Sequence, residues 1–271
     1  MRLSFLNKGN EMLWKKKRKL WGKYDISPVL KSWEYDLRQD MMVRRVPGKD
    51  GKMKVQMRLD LGILQMEEEG RPDGKKPHGM ESLLTYFENI TKRLAVKQGS
   101  ASDFKLDKDD CYALQQEGIQ FYYRYLCFFQ LGDYKRAERD TARNLRLFDF
   151  VKRHASDKHN IEEFEQYRPY VMMMNTRAKV LNALKSKDTR TAVNEINQGI
   201  TKIENEYEKD GPLSSHPKTE VAFLKNWAEE IIKRFTPTKK QRLNEELRSA
   251  VENEEFEKAA KIRDKLNKLK Q

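Results

Sequence analysis

The chain has 271 residues, of which 36% are charged and 38% apolar, and its formal net charge is +13. Its 10% of aromatic residues argues against a disordered chain, and its few glycines and prolines, 13 and 8, predict a mainly α-helical fold. Two cysteines exclude a disulfide framework and a four-ligand zinc site, and no apolar run is as long as a membrane span. We therefore expect a cytoplasmic protein, whose positive charge suits contact with nucleic acid, ribosomes or anionic membranes.

Residues 1–24 are predicted to form a basic amphipathic arm. Residues 1–23 contain eight lysines and arginines against one glutamate. A helix would place Trp14 and Trp21, seven residues apart, on one side. The basic run between them consists of Lys15, Lys16, Lys17, Arg18 and Lys19. This pattern is typical of a segment that lies on a membrane surface or a phosphate backbone, and equally of an arm whose tryptophans pack on the protein body.

Residues 25–80 are the only β-like region. Met41–Val46 and Met53–Met66 predict a β-hairpin around a glycine-rich turn. The second arm alternates, and its predicted buried row is Val55, Met57, Leu59 and Leu61. The loop Glu67–Gly79 follows, with three residues that would suit catalysis: Arg71, Asp73 and His78. Because Pro-Asp-Gly is a strong turn sequence, we interpret this loop as structural.

Residues 81–235 are predicted to be helical throughout. The apolar face expected for the helix in Asp109–Leu131 consists of Tyr112, Leu114, Ile119, Tyr122, Tyr123, Leu126 and Phe129. In the next segment Gly132 opens a turn, and Ala137 is small enough for two helices to approach closely, which resembles a corner of the tetratricopeptide repeat. A second corner has Ala192, 55 residues later, whereas that repeat has a period of about 34 residues. We therefore expect a tetratricopeptide-like body of packed helical hairpins.

Residues 236–271 are predicted to be a separate antiparallel two-helix hairpin. Pro237 ends the preceding helix and suits the start of the next one. The first apolar stripe consists of Leu243, Leu247, Ala250 and Val251, and the second of Phe256, Ala259, Ile262, Leu266 and Leu269. Between them Asn253 offers a side-chain oxygen as the N-cap of the second helix.

This tail resembles the UVR motif, the C-terminal hairpin shared by the B and C subunits of the bacterial excinuclease and by several otherwise unrelated proteins. The residues that match are Leu247, Ala250, Val251, Glu254, Phe256, Glu257, Ala259, Ala260, Ile262, Arg263, Asp264, Leu266 and Leu269. The stretch from Met57 to Leu84 also resembles one found in stand-alone bacterial proteins that carry this tail. The resemblance implies protein–protein contact through the hairpin, and its best-known bearers suggest a link to DNA repair.

Physical reasoning on the hairpin leads to the same expectation. Two short helices are marginally stable in water, and an apolar strip left exposed favours a partner. We expect Phe256 to be the main anchor and Arg263 to lie at the rim of the contact. The full set of predicted partner-binding residues is Leu243, Leu247, Val251, Phe256, Ala259, Ala260, Arg263 and Leu266. The alternative is that the hairpin folds back onto the helical body.

No motif in the chain predicts an enzyme. The phosphate loop G-x-x-x-x-G-K-[ST] of the helicase-like subunit is missing, and no nuclease domain or paired C-x-x-C set is recognisable. The four histidines are too scattered to predict a metal site: His78, His154, His159 and His216. We therefore predict no catalytic residue, no metal and no cofactor.

Two functions follow from these patterns. The first is a non-enzymatic adaptor, whose UVR hairpin binds another UVR-bearing protein, such as an excinuclease subunit, or a second copy of the chain. The rival is a nucleic-acid or ribosome-associated factor, in which Trp14 or Trp21 stacks on bases and the basic run, with Arg44 and Arg45, contacts phosphates. An enzyme centred on the loop Glu67–Gly79 is a distant third. The partner, the pathway and the oligomeric state stay open at this point.

Overall fold

A computed structural model describes residues 25–98, 104–208, 218–235 and 239–268. The chain divides into two compact units, Met1–Asp157 and Lys158–Gln271, and the division falls inside the predicted helical domain 81–235. The predicted fold class is confirmed, because the chain is mainly helical with a small antiparallel sheet on its N-terminal side. Within the described ranges, no helix has the length and apolar character needed to cross a membrane.

The first unit begins with a short helix and a three-stranded sheet. The elements are α1 Ser27–Lys31, β1 Met42–Pro47, β2 Met53–Leu59 and β3 Gly62–Glu67, and the strand order is β1-β2-β3. The prediction of one continuous second arm was wrong, because the chain reverses at Asp60 and Leu61, so that Leu59 pairs with Gly62. The Asp60 carboxylate accepts a hydrogen bond from the Leu61 N–H at 2.8 Å, which favours this turn. Leu59 and Leu61 are exposed, contrary to the prediction, while Val55 and Met57 are buried as expected.

Three helices complete the first unit: α2 Leu83–Gln98, α3 Lys108–Gln130 and α4 Tyr134–His154. Helices α3 and α4 form an antiparallel pair, and strand β2 contacts α3. The predicted buried face of α3 was wrong in part, because Tyr112, Ile119 and Tyr123 are exposed. Leu114 is buried as predicted, and the other apolar side chains that α3 buries are Cys111, Phe121, Tyr125, Cys127 and Phe128.

The second unit contains a helical body and the C-terminal hairpin. Its helices are α5 Lys158–Glu165, α6 Arg168–Lys185, α7 Thr189–Glu208, α8 Thr219–Phe235, α9 Lys239–Glu252 and α10 Phe256–Lys268. Helix α7 packs against both α6 and α8, and its buried stripe includes Ile196, Ile200 and Ile203. The approach to α6 is close at Gly199, where a β-carbon would collide with the side chain of Thr176.

The α3–α4, α6–α7 and α9–α10 pairs are joined by corners of the same design. Gly132, Lys187 and Glu254 adopt left-handed backbone conformations, with φ of 66°, 59° and 58°. In each corner the left-handed residue and the one after it donate N–H groups back to the preceding helix, which is the Schellman arrangement. The residue after it then starts the next helix, and an alanine four positions further on is buried: Ala137, Ala192 and Ala259. This shared geometry accounts for the repeat-like pattern, while membership of the tetratricopeptide class stays a prediction.

Candidate protein-interaction site

The C-terminal hairpin owes its sharp corner to Glu254. The Glu255 N–H donates to the Ala250 carbonyl at 2.7 Å, and the Glu254 N–H donates to the Val251 carbonyl at 3.1 Å. The carbonyl of Glu255 then accepts from the Ala259 N–H at 3.0 Å. Glu255, and not Asn253, is therefore the residue that starts α10, and the predicted cap at Asn253 was wrong. The corner holds α9 and α10 antiparallel with three residues between them.

The hairpin closes an apolar core of its own. Leu243 and Ala250 of α9 pack with Ala259, Ile262 and Leu266 of α10, and the half-buried Leu247 packs against this cluster. Four of the predicted partner-binding residues, Leu243, Leu247, Ala259 and Leu266, therefore contribute to the fold of the hairpin itself. Removing any of them would disturb the hairpin before it disturbed a contact surface.

The other four predicted residues lie at or near the surface. Phe256 is 67% exposed and Val251 is 51% exposed, and they stand on either side of the corner. Ala260 is half-buried, and Arg263 is exposed beside Asp264, with 3.2 Å between a guanidinium nitrogen and a carboxylate oxygen. Exposed Phe and Val side chains five residues apart in sequence, one on each side of a corner, are the kind of apolar surface that a partner covers. We call residues 251–257 the hairpin tip.

The predicted phosphate-binding residues fall into two groups. Trp14, Trp21 and the basic run between them lie outside the described residues. Arg44 and Arg45 are described, and both have protein partners. The Arg44 Nε donates to the Gln56 Oε1 at 2.8 Å, and its guanidinium stacks 4.0 Å from the centre of the Trp33 ring. Arg45 forms ion pairs with Glu68 and Asp133, so a phosphate would have to displace two carboxylates there.

The loop Glu67–Gly79 is fixed to the helices of its unit. Arg71 lies between Asp73 and Glu117, with its Nε 3.3 Å from a carboxylate oxygen of each. The exposed His78 stacks its ring on Tyr86, with 4.0 Å between centroids. Arg124 donates to the carbonyls of Glu67 and Gly70 at 2.9 and 2.7 Å. These contacts stabilise a turn-rich loop, as the structural interpretation expects.

Beneath this loop lies a buried ionic cluster that sequence reasoning missed. Arg124 and Asp140 are almost fully buried and paired, with 2.7 Å between the Arg124 Nε and a carboxylate oxygen. Glu117 is fully buried, pairs with Arg143, and accepts hydrogen bonds from the backbone N–H groups of Leu83 and Leu84 at 2.8 and 3.2 Å. Burial lowers the pKa of Arg143 to about 10, although Glu117 opposes this shift.

In this cluster each carboxylate has a cationic partner, which favours a role in packing. Across the described ranges, no group of three or more potential ligands is arranged to hold a metal ion. A described groove in the first unit has a volume of about 640 Å³ and is also lined by paired charges, among them Glu69, Arg136 and Arg139. The hairpin is therefore the stronger candidate site.

Residues 238–271 match the family model described as the UvrB/uvrC motif. The resemblance predicted for the C-terminal end is confirmed, and the chain carries a UVR motif there. In excinuclease proteins this motif mediates protein or DNA interaction. The match covers the hairpin and about one eighth of the chain. No curated protein and no solved structure matches the chain.

Proposed function

We propose that the protein is a non-enzymatic adaptor that binds a protein partner through the tip of its UVR hairpin. The supporting observation is that Phe256 and Val251 are exposed although the hairpin already closes a core with other apolar side chains. Burying such a side chain at an interface contributes about 1.5–3 kcal/mol. The partner is a second UVR-bearing chain, either an excinuclease subunit or another copy of this protein.

The residues of the site take different roles in this proposal. Phe256 is the anchor, and Val251 extends the apolar patch across the corner. Arg263 lies on the exposed side of α10, where it suits the polar rim of an interface. The buried residues Leu243, Ala259 and Leu266 hold the two helices together and so position the tip.

An affinity pulldown from cell lysate tests the proposal. The bait is the full chain, compared with the double variant Val251→Ala and Phe256→Ala, at low and high salt and after nuclease treatment. The matched control is Tyr112→Ala, which removes an aromatic side chain that is 64% exposed elsewhere in the chain. We expect a protein partner that the parent and the control retain through high salt and nuclease, and that the tip variant loses.

The contrary result would support the nucleic-acid alternative. In that case nucleic acid or ribosomes would be recovered equally with the tip variant, and they would dissociate at high salt because phosphate-driven binding depends on counterion release. This alternative is tested because residues 1–23 contain eight lysines and arginines. Changing the basic run to glutamine would then abolish the recovery.

A further inference from the structure

The apolar patch at the hairpin tip has strongly acidic surroundings. Its four exposed glutamates are Glu252, Glu254, Glu255 and Glu257. Glu255 pairs with Lys258 at 2.7 Å, and Glu252 lies 3.7 Å from Arg248. Within the described residues, Glu254 and Glu257 form no ion pair. The tip therefore offers two apolar side chains and unneutralised negative charge on one small surface.

A partner segment for such a surface needs apolar anchors and positive charge. Electrostatic complementarity selects the partner and speeds its association, while the apolar anchors supply most of the affinity. The chain itself contains a segment of this composition, in its basic arm. Leu13 and Leu20, like Trp14 and Trp21, are spaced by seven residues, and the five residues from Lys15 to Lys19 are all basic. Spacing of this kind is how amphipathic helices present anchors to a surface.

We propose that the hairpin tip binds the basic arm, residues 13–21, of a second copy of this chain. The inference rests on the proposed function and names the partner of that same site. The arm of one copy contacts the tip of the other, so a two-fold arrangement makes the same contact twice. Two copies that exchange arms form a closed dimer with two such contacts. Phe256 and Val251 contact the apolar side of the arm, and Glu254 and Glu257 attract its lysines.

A second exposed aromatic surface provides the internal comparison. Tyr112, Ile119 and Tyr123 are exposed on α3. The exposed carboxylate that α3 itself carries is that of Asp109, because Asp110 is half-buried and Glu117 is fully buried. This surface is therefore also apolar, but α3 and its N-cap residue Asp107 together offer two exposed carboxylates where the tip has four. If the arm recognised any exposed aromatic surface, variants of this one would weaken its binding as much as variants of the tip.

A labelled peptide of residues 10–24 tests the contact directly. It is titrated into the full chain in which Lys15, Lys16, Lys17, Arg18 and Lys19 are changed to Gln, so that the resident arm does not compete. We expect binding by fluorescence anisotropy that weakens at least about tenfold in the Val251→Ala and Phe256→Ala double variant. Glu254→Gln with Glu257→Gln is expected to weaken it several-fold and to reduce its salt dependence, because screening acts on the charged part of the contact. Tyr112→Ala is expected to leave it unchanged.

Sedimentation of the intact chain tests the second copy as the source of the arm. We expect concentration-dependent association that both the five-glutamine arm variant and the tip double variant abolish. The inference would be overturned if the tip variants bound the peptide as tightly as the parent. It would also be overturned if the intact chain stayed monomeric at all concentrations. If a lysate partner were still lost with the tip variant, the proposed function would survive that result. If the peptide bound the tip but no lysate partner depended on it, self-association would be the remaining role of the site.

Discussion

At the scale of single residues, two buried charges connect the helices of the first unit to each other and to its loop. Glu117 and Arg124 project from α3 toward the interior, where Glu117 pairs with Arg143 and caps the N-terminus of α2. Arg124 pairs with Asp140 and binds two loop carbonyls. A buried ion pair contributes little net stability relative to apolar residues of similar volume, but breaking one leaves an uncompensated charge.

Changing Glu117 to Gln is expected to lower the free energy of unfolding by about 3 kcal/mol, because Arg143 would remain buried without its counter-charge. The matched control is Glu229→Gln, the same chemical change at an exposed position within α8, which should alter stability by less than about 0.5 kcal/mol. Urea denaturation followed by circular dichroism measures both. A loss below about 1 kcal/mol for Glu117→Gln would show that the cluster is not a structural centre.

The two thiols give a second prediction at this scale. Burial raises the pKa of Cys111 to about 11 and that of Cys127 to about 12, and acidic neighbours add to the shift at Cys111. Because only the thiolate is nucleophilic, both residues should resist alkylation in the native chain at about pH 8 and react fully in denaturant. Mass spectrometry after iodoacetamide treatment measures the labelling. Rapid native labelling of either thiol would indicate that the α3–α4 pair opens readily.

At the scale of elements, the corner between paired helices is the recurring unit. In two of the three described corners, the left-handed position is occupied by a charged residue, Lys187 or Glu254, where glycine is the usual choice. A residue with a side chain loses about 1–2 kcal/mol of stability in this conformation. Glycine avoids that loss, but it also gives the unfolded chain more conformational entropy, which offsets part of the gain. The two corners therefore carry removable strain.

Changing Lys187 or Glu254 to Gly is expected to raise the free energy of unfolding by about 0.5–1 kcal/mol each. The reverse change, Gly132→Ala, should lower it by about 1 kcal/mol, because Gly132 has φ of 66°. Lys202→Gly, at an exposed position within α7, controls for the general effect of glycine and should lower stability by about 1 kcal/mol. Thermal unfolding measures the series; a loss of stability in both Lys187→Gly and Glu254→Gly would contradict the strain argument.

Helix periodicity predicted the elements well but only part of the buried face of α3. Both faces of that helix carry aromatic residues, so hydrophobicity alone could not decide between them. Tyr112 and Ile119 were expected on the buried face but are exposed, whereas the charged residues Glu117 and Arg124 are buried. Only knowledge of the partners, Arg143 and Asp140 on α4, identifies these charges as interior residues.

The hairpin was predicted more completely, since its two apolar stripes and its motif are local in sequence. What sequence could not supply was the division of the stripes into core and surface. Val251 and Leu247 belong to the same predicted stripe, yet Val251 is exposed and Leu247 packs against the core. The division depends on the angle that the corner at Glu254 imposes on the two helices, which is a tertiary property.

At the scale of the whole molecule, charge pairing makes the first unit sensitive to acid. Burial acts to raise the pKa of Asp133, but hydrogen bonds from Arg136 and Arg45 outweigh it, so its pKa lies below the ordinary value. The same balance, with Arg136 and Arg139 as partners, lowers the pKa of Glu69. A carboxyl whose pKa is lower in the folded state stabilises the fold above its unfolded pKa of about 4. That stabilisation is lost as the pH falls through the folded pKa.

The melting temperature is therefore expected to fall slightly from about pH 7 to 5, because burial lowers the pKa of His154, and to fall steadily below about pH 4. Asp133→Asn should show a smaller fall, because the amide still offers an oxygen to cap α4 but cannot lose a charge. Asp40→Asn, at an exposed position, is the control and should follow the parent curve. Scanning calorimetry across this range measures all three. An Asp133→Asn curve parallel to that of the parent would place the acid sensitivity elsewhere.

The corner design also has an evolutionary consequence. At each described corner one residue ends the first helix in the left-handed conformation, and the very next residue starts the second helix. Each corner has only three residues between its helices, so an insertion or deletion there would change which face the second helix turns toward the first. Length differences among descendants of this gene should therefore accumulate outside residues 131–134, 186–189 and 253–256. In these descendants the paired helices would keep their lengths and their corner residues, while their surface residues would change.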